Sequence, residues 1–362
     1  MEIQKLVNKS TNLMFNYPKI SMVQKGKNLL KKCLGRSVYR PNCIGWPNGL
    51  CALGLIEQIK SNSDVALKRR DAKNLISYYE TWIRKGMKVS RVEDFISGYA
   101  LMELMELLDE LKITYSEDFD KAVHIMYEYL KGARTDFQGA FVYNPNQKEN
   151  YIFADMIGMV CPFLAKYGVK YDDAQAVELC MKQIDLFIAN SYDDASKFPY
   201  HAYEYHKDIQ IDRLGLVAWG RAVGWIMMGL SGARIALMAN EDKFSNELII
   251  LTEKLTDYGN MLKPYQREDG LFGWHIIDKE GPSDTSATSM ILYSLVGIKD
   301  KDSIKEVFDS ALYGLLTYVS DDGNVMQGQA ECLGIGIHPM KFGSYPWTVG
   351  PTLALLSALD AE

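Results

Sequence analysis

At 362 residues, with 48% apolar and 24% charged side chains, the chain has the make-up of a globular protein with a large interior. Its net charge of −6 argues against a nucleic-acid backbone as partner. No stretch reaches the ~18 consecutive apolar residues of a membrane span, and residues 1–20 lack the apolar centre of a secretory leader. A cytoplasmic protein without a membrane partner is therefore expected.

Helical periodicity runs through nearly the whole chain. It predicts helices near residues 21–34, 47–60, 66–84, 95–110, 117–132, 151–167, 172–190, 214–238, 243–263, 284–298, 302–319 and 347–360. Within 95–110, Ile96, Tyr99, Leu101, Met102, Met105 and Leu108 fall on one broad face. Strand-like alternation is nearly absent, with candidates only in connections such as 139–143. The connections alternate. Short ones carry helix-stop signals, as at Lys166-Tyr167-Gly168. Long ones, at 35–47, 133–150, 191–213, 264–283 and 320–346, are rich in Gly, Pro, Asn, Tyr and His. Connections of that length are uncommon unless they serve a function.

No Pro/Ser-rich linker splits the chain, so residues 1–362 are expected to form one domain. Repeated helix hairpins can build an open solenoid or a closed ring. A solenoid should show a fixed sequence period, and none is visible. Long aromatic loops gathered around one mouth suit the closed form. The pattern therefore predicts an all-α fold, an (α/α)6 barrel. Six cysteines (Cys33, Cys43, Cys51, Cys161, Cys180, Cys332) lack CxxC spacing, and five histidines are dispersed along the chain, so reduced thiols and no metal site are expected. Motifs for nucleotide or zinc-protease chemistry are also absent.

Six segments could carry chemistry. Trp46 stands in Cys43-Ile44-Gly45-Trp46-Pro47-Asn48-Gly49, before an apolar helix. Glu93 and Asp94 precede another helix, as caps or as an active-site carboxylate. Asp155 stands alone in the apolar start Tyr151-Ile152-Phe153-Ala154-Asp155-Met156. Desolvation there would raise its pKa, as a proton donor near neutral pH requires; capping is the competing role. The loop Tyr200-His201-Ala202-Tyr203-Glu204-Tyr205-His206 is dense in aromatic side chains of the kind that stack on sugars. In Trp219-Gly220-Arg221-Ala222-Val223-Gly224-Trp225, Arg221 and Trp225 lie four apart and share a helix face. An arginine fork beside an indole would receive a sugar carboxylate, or be structural. Finally, Trp274 and His275 precede Asp284-Thr285-Ser286-Ala287-Thr288, a helix start with small residues.

In this order, these segments, with Gly98-Tyr99-Ala100-Leu101, the run from Cys161 to Gly168 and the Gly-rich tail near Gly343, resemble the unsaturated glucuronyl and rhamnogalacturonyl hydrolases of glycoside hydrolase families 88 and 105. The resemblance implies an (α/α)6 barrel that needs no cofactor. It would act on lyase-generated oligosaccharides ending in a Δ4,5-unsaturated uronic acid. The implied chemistry is hydration of a vinyl ether: an acid protonates C4, water adds at C5, and the hemiketal opens to release the aglycone. Asp155 matches the acid/base, and Asp94 or Glu93 the second carboxylate, whose charge would help keep Asp155 protonated. Trp46 and Trp225 would wall the ring, and His201 and Arg221 would hold its polar groups. Phe153 stands where many relatives carry Trp. Two other readings suit the same toroid. One is a sugar epimerase recruiting His201, His206 or His275; the other is a non-catalytic sugar-binding protein.

Overall fold

The computed structural model describes residues 3–18, 22–34, 43–208 and 210–361. Two kinds of helix alternate along it. In α5 (Phe95–Glu110) all but three residues are buried, whereas α4 (Val65–Arg84) buries only Ala72, Leu75, Tyr78, Tyr79 and Trp82. A helix apolar on every side must be covered on every side, and one with an apolar stripe belongs on the outside. The first kind comprises α3 (Trp46–Ser61), α5, α7 (Ala154–Lys170), α9 (Gly220–Leu237), α11 (Thr285–Leu295) and α13 (Pro346–Asp360). Each packs on the next, and α13 packs back on α3, which closes the ring.

The outer helices are α1 (Ile3–Asn16), α4, α6 (Asp118–Lys131), α8 (Ala174–Ser191), α10 (Ser245–Leu262) and α12 (Asp302–Thr317). α4, α6, α8 and α10 each lie against the two inner helices they connect, α12 lies against α11 and α10, and α1 lies against α13 and α3 at the closure. The double ring expected from the sequence is present, with one exchange of members. The twelfth place belongs to α1, whose polar surface hid it. The predicted helix near 21–34 exists as α2 (Met22–Cys33) but buries no side chain. Buried apolar residues form one continuous cluster from Leu6 to Leu355.

Glycines set the closest approaches. A Cβ at Gly54 would lie 2.4 Å from the Gly350 carbonyl oxygen, and one at Gly158 2.4 Å from that of Trp225. Both contacts are impossible for a larger residue, so α3–α13 and α7–α9 pack backbone to backbone. The helix Gly220–Asn240 is long and apolar enough to cross a membrane, but 78% of its apolar window is buried in the ring.

All six inner helices run the same way, so their N-termini share one end of the barrel. The long connections precede these N-termini; short turns such as 62–64 and 171–173 follow the C-termini. The predicted long loop at 35–47 lies mostly outside the described residues. Two small sheets line the mouth. β1 (Tyr151–Phe153), β2 (Tyr200–Tyr205) and β3 (Ile211–Val217) form an antiparallel sheet in that order, and β4 (Gly328–Gln329) pairs with β5 (Phe342–Gly343). The sequence assigned 151–153 and 214–217 to helices. Here Gly215 (φ 80) and Ala218 (φ 55) take left-handed backbone conformations, which a continuous helix forbids. In the expected strand region 139–143 a single bridge joins Phe141 to Thr135.

Candidate active site

A cavity of about 240 Å³ opens among the inner-helix N-termini, lined by Trp46, Glu93, Tyr143, Phe153, Asp155, His201, Trp219, Arg221 and the 331–334 segment, among others. A larger hollow of about 710 Å³ lies between α1, α3 and α4, but its two charged lining residues, Arg70 and Asp71, pair with each other at 2.8 Å. The smaller cavity has the convergent polar groups expected of a chemical site.

Asp155 is the second residue of α7, directly after β1. Because Phe153 pairs with Ala202 across β1 and β2, the neighbouring His201 reaches the acid, and its Nε2 lies 3.1 Å from Asp155 Oδ2. The His201 ring is fixed by Phe153, edge-on at 5.0 Å, and by Trp219 at 4.5 Å. Trp46, at the start of α3, packs on Trp347 at 4.8 Å and meets Trp225 edge-on at 5.9 Å. Trp46 faces the cavity, while Trp225 is fully buried behind it and does not line it.

Glu93 and Asp94, equivalent candidates in the sequence, are separated by the single 3-10 turn Val92–Asp94. Glu93 lines the cavity and accepts a 3.0 Å hydrogen bond from Tyr143 Oη. Asp94 turns inward, fully buried, and its Oδ2 accepts from Ser90 N (2.8 Å), Ser90 Oγ (3.1 Å) and Arg91 N (3.3 Å). Burial pushes the Asp94 carboxyl up to about 7 against these hydrogen bonds. Asp94 thus organises the turn, and Glu93 is the carboxylate presented to the cavity beside Asp155.

Arg221 also departs from expectation. It is only 2% exposed, and its fork donates to the Gln329 carbonyl (3.0 Å), the Ala330 carbonyl (3.0 Å) and Ser286 Oγ (3.3 Å). Its plane lies over Trp219 (4.7 Å) and Trp347 (5.6 Å) rather than Trp225. Asp284 holds the same segment from the other side: its Oδ1 caps α11 through Ser286 N (2.9 Å) and accepts from Gln329 N (3.0 Å). With most of its donors so engaged, Arg221 clamps the wall that follows β4. The partly buried Trp274 and His275 stand one layer out: the Trp274 carbonyl accepts from Gly220 N at 2.7 Å, and burial lowers the pKa of His275.

A scan against protein-family profiles matches residues 23–353 to the family described as Glycosyl Hydrolase Family 88. The chain belongs to glycosyl hydrolase family 88. No curated protein matches it by sequence. Among solved structures, the family-88 chain is similar to a possible member of family GH105 from Salmonella enterica, with a TM-score of 0.77 and 18% identity over 99% of this chain and 93% of that one. A possible GH105 member from Klebsiella pneumoniae gives 0.79 and 18% over 99% and 93%. The unsaturated glucuronyl hydrolase of Bacillus sp. GL1, described as responsible for glycosaminoglycan degradation, gives 0.65 and 15% over 99% and 97%. These likenesses show the six-hairpin fold.

Sequence reading passed over several residues of this family-88 cavity. Tyr143 packs tilted at 4.7 Å against Phe153, which the sequence marks, and the two form one wall. Glu331 and Cys332 form another; burial raises both, the thiol to about 11. His338 packs on Trp219 at 4.9 Å, and burial, together with His201 and Arg221, lowers it to about 4. The aromatic density of 133–150 could have flagged Tyr143. Nothing local marks His338. Two of the histidines that look dispersed in the sequence meet here, with the His201 and His338 rings 5.6 Å apart.

Proposed function

We propose that this glycoside hydrolase removes a terminal Δ4,5-unsaturated uronyl residue from lyase-generated oligosaccharides, with Asp155 as the acid. The observation that carries the reading is Asp155 at an inner-helix N-terminus, oriented by His201 and walled by Trp46, Phe153 and Trp219, in a chain of family 88. The cavity lies at the small end of ligand sites, which suits one terminal ring rather than a long chain. Six parallel helix N-termini, each carrying about half a positive charge, ring the mouth and favour an anionic sugar. Arg91 adds a cation to the cavity lining.

In the proposed reaction Asp155 gives its proton to C4 of the vinyl ether, leaving positive charge at C5 shared with the ring oxygen. The Asp155 carboxylate then takes a proton from the water that adds at C5. The resulting hemiketal opens, the aglycone leaves with its hydroxyl, and the acid is regenerated. Glu93 supplies the second negative charge near the cationic intermediate. His201 orients Asp155 and reaches the sugar hydroxyls. The family match gives no support to the epimerase or binding-protein readings.

The test is to incubate the protein with unsaturated disaccharides of galacturonic and glucuronic type and follow the ultraviolet absorbance of the conjugated double bond. Loss of absorbance, abolished in Asp155→Asn, is the expected result. Unchanged absorbance with every substrate, alongside an active relative, would overturn the reading.

A further inference from the structure

Beside the proposed acid, His201 is joined by two side chains, Cys332 and His338, that this reaction does not use. The ligand-capable atoms of His201, Cys332 and His338 all lie within 4.8 Å of one another, the one such trio among the described residues. His201 is 2% exposed; its Nε2 faces Asp155, while its Nδ1 is buried with no protein partner. Both ring nitrogens of His338 are likewise buried without a partner. Buried ring nitrogens are rarely left unsatisfied, and here three of them belong to two imidazoles that approach one thiol.

We propose that His201, Cys332 and His338 form a Zn²⁺ site at the wall of the cavity, and that filling it inhibits the enzyme. The donor set is two imidazoles and a thiolate, a mixed nitrogen and sulfur combination that borderline-soft zinc accepts, with a fourth position left for water or a substrate oxygen. At ordinary zinc bond lengths the donors would sit about 3.3–3.6 Å apart, so the cluster must contract by roughly 1 Å. The 332–338 segment can supply that movement. It is a single turn, held by Leu333 N to the Ile337 carbonyl and Ile337 N to the Gly334 carbonyl (both 3.0 Å), with Leu333 and Ile337 exposed. The turn presents Cys332 and His338 to the same side.

The Asp155 contact completes the arrangement. If His201 Nε2–H donates to Oδ2, its lone pair is on Nδ1, the ring nitrogen with no protein partner, and the Asp155–His201 pair would form the carboxylate–histidine–metal relay that orients many zinc ligands. On binding, the Cys332 thiol gives its proton to solvent and its sulfur lone pair to the ion, so one proton is released per metal bound. The ion would then fasten the 331–334 wall and engage the histidine that serves Asp155. This inhibitory consequence rests on the hydrolase reading; metal binding does not.

Co²⁺ is the probe, added to the full chain after chelator treatment. One equivalent should bind, giving a thiolate-to-cobalt charge-transfer band and tetrahedral d–d bands that Zn²⁺ bleaches. Cys332→Ser should abolish the charge-transfer band, and His338→Asn should weaken binding on the order of 100-fold, each with native helical circular dichroism. Cys33→Ser, which removes the exposed thiol, should change nothing. No charge-transfer band in the wild type, or a band that survives Cys332→Ser, would overturn the site. In the activity arm, Zn²⁺ should slow the wild type and leave the His338→Asn rate at its own zinc-free value; equal slowing of both would overturn the inhibitory role. If neither form turns over any unsaturated sugar, the hydrolase reading fails while the cobalt spectrum still decides the metal site.

Discussion

The ionic cluster at the base of the barrel and the imidazoles at its mouth are satisfied in opposite ways. At the C-terminal end of the inner helices, Lys60 of α3 contacts Glu57 (3.2 Å) and Glu103 of α5, and Lys166 of α7 contacts Glu103 (2.7 Å) and Glu106 (2.5 Å). Each buried charge there faces an opposite one, which ties three inner helices together. At the mouth, His201 Nδ1 and both nitrogens of His338 face no protein partner, and the carboxylates of Asp155 and Glu93 reach the cavity. A polar group satisfied by its own chain contributes to the fold, whereas one left over is available to a ligand. Substitutions at the base should therefore move stability and spare turnover, and those at the mouth should do the reverse.

The largest effect is expected at Asp155. Asp155→Asn keeps the shape and a polar contact to His201 but removes the transferable proton, so kcat should fall by about 10³–10⁴-fold with little change in melting temperature. A melting temperature that drops with the rate would make Asp155 a structural cap and break the contrast.

At the base, Glu103→Gln leaves Lys60 and Lys166 without their shared counter-charge. Removing one partner of a buried ionic group costs about 3–5 kcal/mol, measurable by urea unfolding, while kcat/KM should hold within about twofold. The pH dependence has a definite sign. Burial alone would raise the Glu103 carboxyl, but Lys60 and Lys166 override it and hold it at about 2, below its ordinary 4.5. Its contribution is fully present above pH 4.5 and is lost as pH falls toward 2. The wild type should weaken through that window more steeply than Glu103→Gln.

Asp94 sharpens the comparison with the opposite sign. Its folded pKa of about 7 lies above the ordinary 3.8, chiefly through burial. Between these values the folded state holds a proton that the unfolded state has lost, so stability declines as pH rises from 4 to 7 and levels off beyond. Asp94→Asn, whose carbonyl oxygen can still accept from Ser90 and Arg91, should remove on the order of 3–4 kcal/mol of that decline. An unfolding free energy from urea titration that falls equally between pH 4 and pH 7.5 in the wild type and in Asp94→Asn would refute the assignment.

The ring was legible because helices covered on all sides and helices with one apolar stripe alternate along the chain. Asp155 was legible for the related reason that a carboxylate interrupts an apolar helix start. What stayed hidden depends on long-range contacts. Arg221 looks like a carboxylate receptor until the carbonyls of Gln329 and Ala330, more than a hundred residues on, take up its donors. Glu93 and Asp94 are adjacent, and only the 3-10 turn decides which faces the cavity. The β2–β3 hairpin escaped because a bulge between Tyr200 and Ala202 and the left-handed backbone of Gly215 within β3 interrupt its alternation.

The smallest expected effect tests whether the mouth's second carboxylate acts through its orientation. Tyr143 Oη donates to Glu93 at 3.0 Å, and its ring packs on Phe153, which packs in turn on His201. Tyr143→Phe removes one hydroxyl and keeps the ring packing. A single hydrogen bond to a charged group contributes about 1.5–3 kcal/mol, but Glu93 stays in contact with solvent, which can replace part of it. If Glu93 must be aimed at the sugar, kcat/KM should fall about three- to tenfold with melting unchanged. If the charge alone matters, Tyr143→Phe should match the wild type while Glu93→Gln still loses activity. The pair of variants thus separates a positioned carboxylate from one that only sets the local potential.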